Sequence, residues 1–178
     1  RNSDKTSLIL TEGDSAKAFA VSGLEVIGND RYGIFPLRGK LLNVRNASPK
    51  QIRDNKEFAS LKIILGLKQG MKYTDVSKLR YGAIIILTDQ DPDGSHIKGL
   101  IINMFEFFWP SLLQIDGFIK TVNTPIVKAW KKSDTKKKNL EIFYTLSDYQ
   151  NWLKEKGEEI SKWESKYYKG LGTSTDKE

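Results

Sequence analysis

The chain has 178 residues, 39% of them apolar and 29% charged, which is enough apolar material for a buried core. It has no cysteine, which excludes disulfides, thiolate zinc sites and a cysteine nucleophile. No apolar run approaches the ~20 residues that a membrane-spanning helix needs, and the formal net charge of +7 suits either a polyanionic partner or a solvated basic face.

In chain order, Ser7-Leu8-Ile9-Leu10-Thr11 is a short apolar run of the kind that forms a buried strand. Asp14 or Ser15 is placed to cap the next helix, which carries Ala16, Ala20, Gly23, Leu24 and Ile27 along one side. A second strand is predicted at Tyr32-Gly33-Ile34-Phe35-Pro36-Leu37. Ser48-Pro49 then opens a helix expected to run to about Leu65, with a capping residue followed by proline at the first position. The strongest strand is Ala83-Ile84-Ile85-Ile86-Leu87, β-branched and apolar on both faces, so it reads as central and doubly covered. The helix after it spaces Ile97, Leu100, Ile101, Met104, Phe105, Phe108 and Leu112 at three and four residues. Ile102 and Phe107 are expected to widen that stripe, and Pro110 marks its end or a kink. Strand alternating with helix predicts an α/β fold with a central parallel sheet flanked by helices.

The remainder has another character. Phe118 to Trp130 and Leu140 to Leu146 read as two long strands joined by a lysine-rich hairpin tip, where Lys131-Lys132 and Lys136-Lys137-Lys138 flank Ser133-Asp134-Thr135. A short helix near Ser147 to Lys156 and a strand near Lys162 to Tyr168 complete a β-rich C-terminal extension. The start at Arg1 without Met, and the polar finish at Thr173 to Glu178, predict a segment cut from a longer chain.

Two acidic segments each follow a predicted strand: Thr11-Glu12-Gly13-Asp14-Ser15-Ala16 and Thr88-Asp89-Gln90-Asp91-Pro92-Asp93-Gly94-Ser95. In an open parallel sheet the strand carboxyl ends share one edge, and ligands bind there. Glu12 would then converge with Asp89, Asp91 and Asp93. Crowded carboxylates repel unless a cation intervenes, and a few hard oxygens open to water suit Mg²⁺. The plain alternative is a turn and helix cap, with Asp93 or Ser95 as the cap. An EF-hand is excluded, because position 12 of such a loop would be Leu100 where a bidentate Glu is required. A phosphatase of the haloacid dehalogenase type, with Asp91 attacking phosphate and Asp93 assisting, remains open, although Thr88-Asp89-Gln90 separate Asp91 from the strand. A non-enzymatic nucleic-acid-binding module remains open too. His96 is the single histidine, and a structural role or a weak phosphate contact is expected of it.

Four motifs in order are more specific. Glu12-Gly13-Asp14-Ser15-Ala16, Pro36-Leu37-Arg38-Gly39-Lys40-Leu41-Leu42-Asn43, Asp89 through Ile97, and Tyr167-Tyr168-Lys169-Gly170-Leu171-Gly172-Thr173-Ser174 together resemble type IIA DNA topoisomerases. The last motif and Thr124-Pro125-Ile126-Val127-Lys128 resemble the eukaryotic branch. The resemblance implies a TOPRIM domain of Rossmann-like fold over 1–178, with its core at about 6–125 and the extension at about 126–178. It implies metal ligation by Glu12 and Asp89 for one Mg²⁺, by Asp89 and Asp91 for a second, and an auxiliary role for Asp93, with Mn²⁺ or Ca²⁺ able to substitute. It implies contacts of Arg38, Lys40, Asn43, Lys169 and Gly170 with double-stranded DNA. On their own, those segments read as an ordinary turn and loop. The family's nucleophilic tyrosine, in a winged-helix domain, and its ATP-using domain would lie elsewhere in a homodimeric nuclear enzyme, leaving this segment inactive alone. Another TOPRIM enzyme, a primase or nuclease, is the nearest alternative.

Overall fold

The computed structural model describes residues 2–168, 170 and 171. The chain forms two compact units that meet in sequence at Val122 and Asn123. The first unit holds β1 (Ser7–Glu12), α1 (Gly13–Ile27), β2 (Tyr32–Leu37), α2 (Pro49–Asp54), α3 (Lys56–Leu65), β3 (Ala83–Leu87), α4 (Pro92–Phe108), α5 (Pro110–Leu113) and β4 (Ile119–Thr121). Its four strands form one parallel sheet in the order β2-β1-β3-β4.

The two central strands are those whose sequences are apolar on both faces. Leu8, Leu10, Ile84 and Ile86 are almost wholly buried, and Leu37 closes the carboxyl end of β2. α4 supplies Ile97, Leu100, Ile101, Met104 and Phe105 to the same core. Phe105 meets Phe118 edge-on at 5.5 Å between ring centroids, and Trp109 is buried with its indole N–H donating to the Lys68 carbonyl at 2.8 Å. That bond removes the penalty of burying the one polar atom of the indole.

Several local expectations are corrected. α1 begins at Gly13 and is preceded by Glu12, which makes no capping bond, so neither Asp14 nor Ser15 caps it. Only Ala16, Ala20 and Leu24 of its predicted stripe are buried, at a spacing of four residues on one narrow face; Gly23 and Ile27 are exposed. The segment 49–65 is two helices rather than one. Ser48 opens the first with a full capping box, and Asn55, extended in backbone, ends it and caps the second through the Phe58 N–H at 2.8 Å. Ile102 and Phe107 point away from the core and are exposed. α4 ends at Phe108, and Pro110 opens the short α5.

The second unit contains β5 (Val127–Lys131), β6 (Glu141–Phe143), α6 (Leu146–Lys156) and β7 (Trp163–Tyr167), with an antiparallel sheet in the order β6-β5-β7. Val127, Ala129, Phe143, Tyr149 and Trp152 form its own small core. The predicted strand from Phe118 to Trp130 is therefore split between two sheets: Ile119–Thr121 pairs with β3, and Val127–Lys131 pairs with β6 and β7. The second predicted strand shrinks to three residues. An apolar run reports that a strand is covered, not which sheet covers it.

Candidate metal centre

Register decides what meets at the sheet edge. Thr11 lies level with Leu87, and Glu12 with Leu37. Glu12 at the end of β1, Thr88-Asp89 after β3 and Arg38 after β2 therefore emerge at one edge. β1 and β3 are also neighbours whose outgoing connections part, α1 leading to β2 on one side and α4 and α5 to β4 on the other. Such a divergence opens a crevice at the carboxyl ends, where open α/β sheets bind ligands.

Glu12 ends β1, and Gly13 follows with φ of 68°, a left-handed conformation that costs glycine nothing. Thr11 and Thr88, one on each central strand, are buried at the base of the site. Gly94 is needed for a different reason: a β-carbon there would sit 2.1 Å from the Asp89 carbonyl oxygen, so only glycine lets the start of α4 close against the end of β3. Asp91 is the N-cap of α4, its Oδ1 accepting the Gly94 N–H at 2.7 Å, and Pro92 occupies the first helical position. The cap is thus Asp91, not Asp93 or Ser95.

Asp93 turns to the loop after β2, across β1 from the strand that precedes it. Its Oδ1 accepts from Lys40 Nζ at 2.8 Å, and that bond, with the ammonium charge and a smaller contribution from His96, holds the Asp93 carboxyl below the usual carboxylate range. Lys40 is raised by the same bond and charge, with Glu12 adding to it. The Glu12 carboxyl is pushed up, first by burial, then by the charges of Asp91, Asp89 and Asp93; the Asp89 N–H, donating to it, partly offsets this. Glu12 Oε2 is buried without a hydrogen-bond partner among the described residues. A buried, unpartnered carboxylate oxygen beside three further carboxylates is a costly arrangement in the absence of a cation.

The donor set, hard oxygens with one orphaned, fits a small divalent cation. Among the described residues, no group of three or more His, Cys, Asp or Glu side chains is arranged to hold an ion as it stands. Two of the four acids are engaged elsewhere, Asp91 in the helix cap and Asp93 with Lys40. Mg²⁺ keeps much of its water and takes one or two protein carboxylates alongside substrate phosphates, so it does not require a closed protein cage. A phosphatase geometry fits less well, because Asp91 stands four residues beyond Leu87 with its carboxylate committed to α4.

The basic residues are spread more widely. Arg38 and Lys40 are exposed beyond β2. Asn43 is exposed but engaged: its Oδ1 accepts from the Arg45 N–H and from Asn103 Nδ2, both at 3.2 Å. Arg45 donates to Asn103 Oδ1 at 2.6 Å and forms an ion pair with Glu106. This bridge ties the loop after β2 to the outer side of α4, and sequence reasoning missed it. The only hint was polar Asn103 and Glu106 at helical spacing on α4. Gly170 belongs to the second unit, and Lys169 lies outside the described residues.

The Toprim domain family matches residues 7–125. The chain belongs to the Toprim family. The C-terminal associated domain of TOPRIM matches residues 122–178. Over all 178 residues this Toprim chain is 54% identical to DNA topoisomerase 2 of Pisum sativum and 56% identical to that of Arabidopsis thaliana, covering 12% of each. It is 52% identical over 174 residues to DNA topoisomerase 2 of Saccharomyces cerevisiae, covering 98% of this chain and 12% of that one. The DNA-binding, cleavage and re-ligation domain of Plasmodium falciparum topoisomerase II superimposes with a TM-score of 0.88 at 51% identity, over 99% of this chain and 23% of that one. The Toprim chain thus spans about an eighth of the length of the curated relatives it matches. None of its described helices is long and apolar enough to cross a membrane.

Proposed function

We propose that the chain supplies the Mg²⁺-binding and DNA-contacting part of the cleavage and re-ligation core of a eukaryotic-type, ATP-dependent DNA topoisomerase II. The observation that carries the reading is the meeting of Glu12 with the Asp89-to-Asp93 segment at the β1/β3 divergence, with Glu12 Oε2 buried and unpartnered. Glu12 and Asp89 would hold one ion, and Asp89 and Asp91 a second, with Asp93 as an auxiliary acid. When bound, divalent ions supply charge that offsets the phosphodiester and stabilises the departing 3′-oxygen of the sugar.

The chain's own residues do the rest. Arg38 and Lys40, exposed at the same edge, meet the DNA backbone, which positions the duplex without reading its sequence. Asn43 acts with Asn103 and Arg45 to hold that loop in place. Lys169 and Gly170 form a further backbone contact. The nucleophilic tyrosine, the ATPase and the second protomer belong to the longer enzyme, which acts in the nucleus. Support for this reading comes from the likeness to the plant DNA topoisomerase 2 chains and to the DNA-binding, cleavage and re-ligation domain of the Plasmodium enzyme.

The test has two parts. Titration of the chain with Mn²⁺, followed by electron paramagnetic resonance of the free ion, should show binding that Glu12→Gln and Asp89→Asn each weaken by tenfold or more. Incubation with supercoiled DNA, Mg²⁺ and ATP should give no relaxation. Robust relaxation would overturn the division of labour, and metal binding indifferent to both substitutions would overturn the site.

A further inference from the structure

The lysine-rich tip between β5 and β6 reads from sequence as loose, solvated decoration, with five lysines between positions 131 and 138 against one aspartate. The structure gives it an internal frame. The Asp134 N–H donates to the Lys131 carbonyl at 2.8 Å, the Lys137 N–H donates to the Asp134 carbonyl at 3.0 Å, and Asp134 Oδ2 accepts the Asn139 N–H at 2.8 Å. Lys137, at φ of 49°, turns the chain back and sets its ammonium 4.0 Å from the centre of the Trp130 ring. Backbone N–H groups of Asn139, Lys138 and Lys136 converge on the Asp134 carboxylate and hold it below the usual range. Asp134 thus shapes the tip by accepting its backbone N–H groups.

Beside the tip lies an open concavity of about 820 Å³. Lys131, Lys138 and Lys156 line it with Trp163, Asp134 and Glu141. Lys131 and Lys156 stand 5.7 and 5.5 Å from the Trp163 ring centroid. Lys154 and Lys156 sit in the last turn of α6, where the helix dipole favours cations. The three ammonium groups outnumber the two carboxylates of the lining, which leaves the hollow an excess of positive charge for a polyanion to meet.

The geometry points to this concavity as a metal-independent binding surface for the phosphodiester backbone of duplex DNA, separate in sequence from the acidic site. A backbone occupant is favoured over stacked single-strand bases because the Trp163 ring already carries two ammonium groups. The inference rests on the DNA-handling reading above, but it is tested without metal.

Fluorescence anisotropy of a labelled duplex oligonucleotide in EDTA, across a salt series, reads it directly. Replacing Lys131, Lys138 and Lys156 together by Gln should lower the slope of log K against log salt by about two to three, each lost phosphate contact counting for about 0.9. The same replacement at Lys50, Lys56 and Lys72, exposed residues of the first unit that line neither this concavity nor the acidic cluster, removes equal charge and should change the slope by less than one. A second variant keeps every lysine: Asp134→Ala makes the chain more positive yet unframes the tip, and should weaken binding about threefold or more. Tighter binding by Asp134→Ala would mean that charge alone matters and would overturn the proposal. So would equal effects of the two triple variants, or a poly-glutamate peptide or single strand binding as tightly as the duplex. Mn²⁺ binding by the chain is read separately and without DNA, so failure here and failure of the metal site are distinguishable.

Discussion

Lys40 and Asp93, 53 positions apart in sequence, form a 2.8 Å ion pair that links the loop after β2 to the first turn of α4. Both side chains are more than half exposed, so the pair adds little to stability. Its consequence is electrostatic: an ammonium group already occupies one carboxylate of the cluster, and it competes with any other cation there.

Lys40→Met should therefore strengthen divalent-ion binding by the DNA-free chain, by about two- to tenfold at low salt and less at high salt. Duplex binding should weaken in the same variant, because the side chain proposed to meet phosphate is gone. Mn²⁺ titration with and without oligonucleotide checks both signs. Unchanged ion affinity would show that Lys40 and the metal do not compete.

Glu12 gives a pH prediction. Its carboxyl is raised by burial and by Asp91, Asp89 and Asp93, so folding favours the protonated form. That stabilising contribution is fully present below the unfolded glutamate value and is lost as pH rises through the folded one. At neutral pH the ionised Glu12, whose Oε2 has no hydrogen-bond partner among the described residues, burdens the metal-free protein. Glu12→Gln should accordingly melt higher than the parent in EDTA at pH 7, with the gap closing by about pH 4. With saturating Mn²⁺ the order should reverse, since only the parent gains from the ion. Thermal melts across that grid suffice.

Gly94 offers a packing test at the same place. Gly94→Ala would drive a β-carbon to 2.1 Å from the Asp89 carbonyl oxygen, and backbone cannot yield as a flexible side chain can. The expected cost is about 1–3 kcal/mol, the ordinary range for overpacking. Metal affinity should fall as well, because the displaced residue is a proposed ligand. Urea unfolding paired with Mn²⁺ titration measures both.

β1, β2 and β3 were legible because they are short apolar runs bounded by turn or cap residues, and Ser48-Pro49 announced its helix through cap chemistry. The break at Asn55 was not, because one asparagine closes α2 and caps α3 while the apolar spacing runs through it. Nor was the division of Phe118 to Trp130 between two sheets, since pairing partners arise from tertiary packing that no local pattern carries. At the site, the acidic segments could be placed on strand ends by sequence, but Lys40–Asp93 and the Asn43–Arg45–Asn103 bridge join residues more than 50 positions apart. The frame around Asp134 was hidden behind a lysine run whose composition says only that it is exposed.

Asp91 has two roles that substitution can separate. As N-cap of α4 it needs only an acceptor for the Gly94 N–H, a requirement asparagine meets about as well as aspartate. As a proposed ligand it needs its charge. Asp91→Asn should keep its melting temperature close to that of the parent while losing tenfold or more in Mn²⁺ affinity. Asp91→Ala should lose both, with about 0.5–2 kcal/mol of stability removed along with the cap. The charge of Asp91 also raises Glu12, so both variants should lower the Glu12 carboxyl toward its ordinary range, visible in a carboxyl-resolved NMR titration. A stable Asp91→Asn protein with undiminished ion binding would leave Asp91 a helix cap and nothing more, and would shift the second ion's ligands elsewhere.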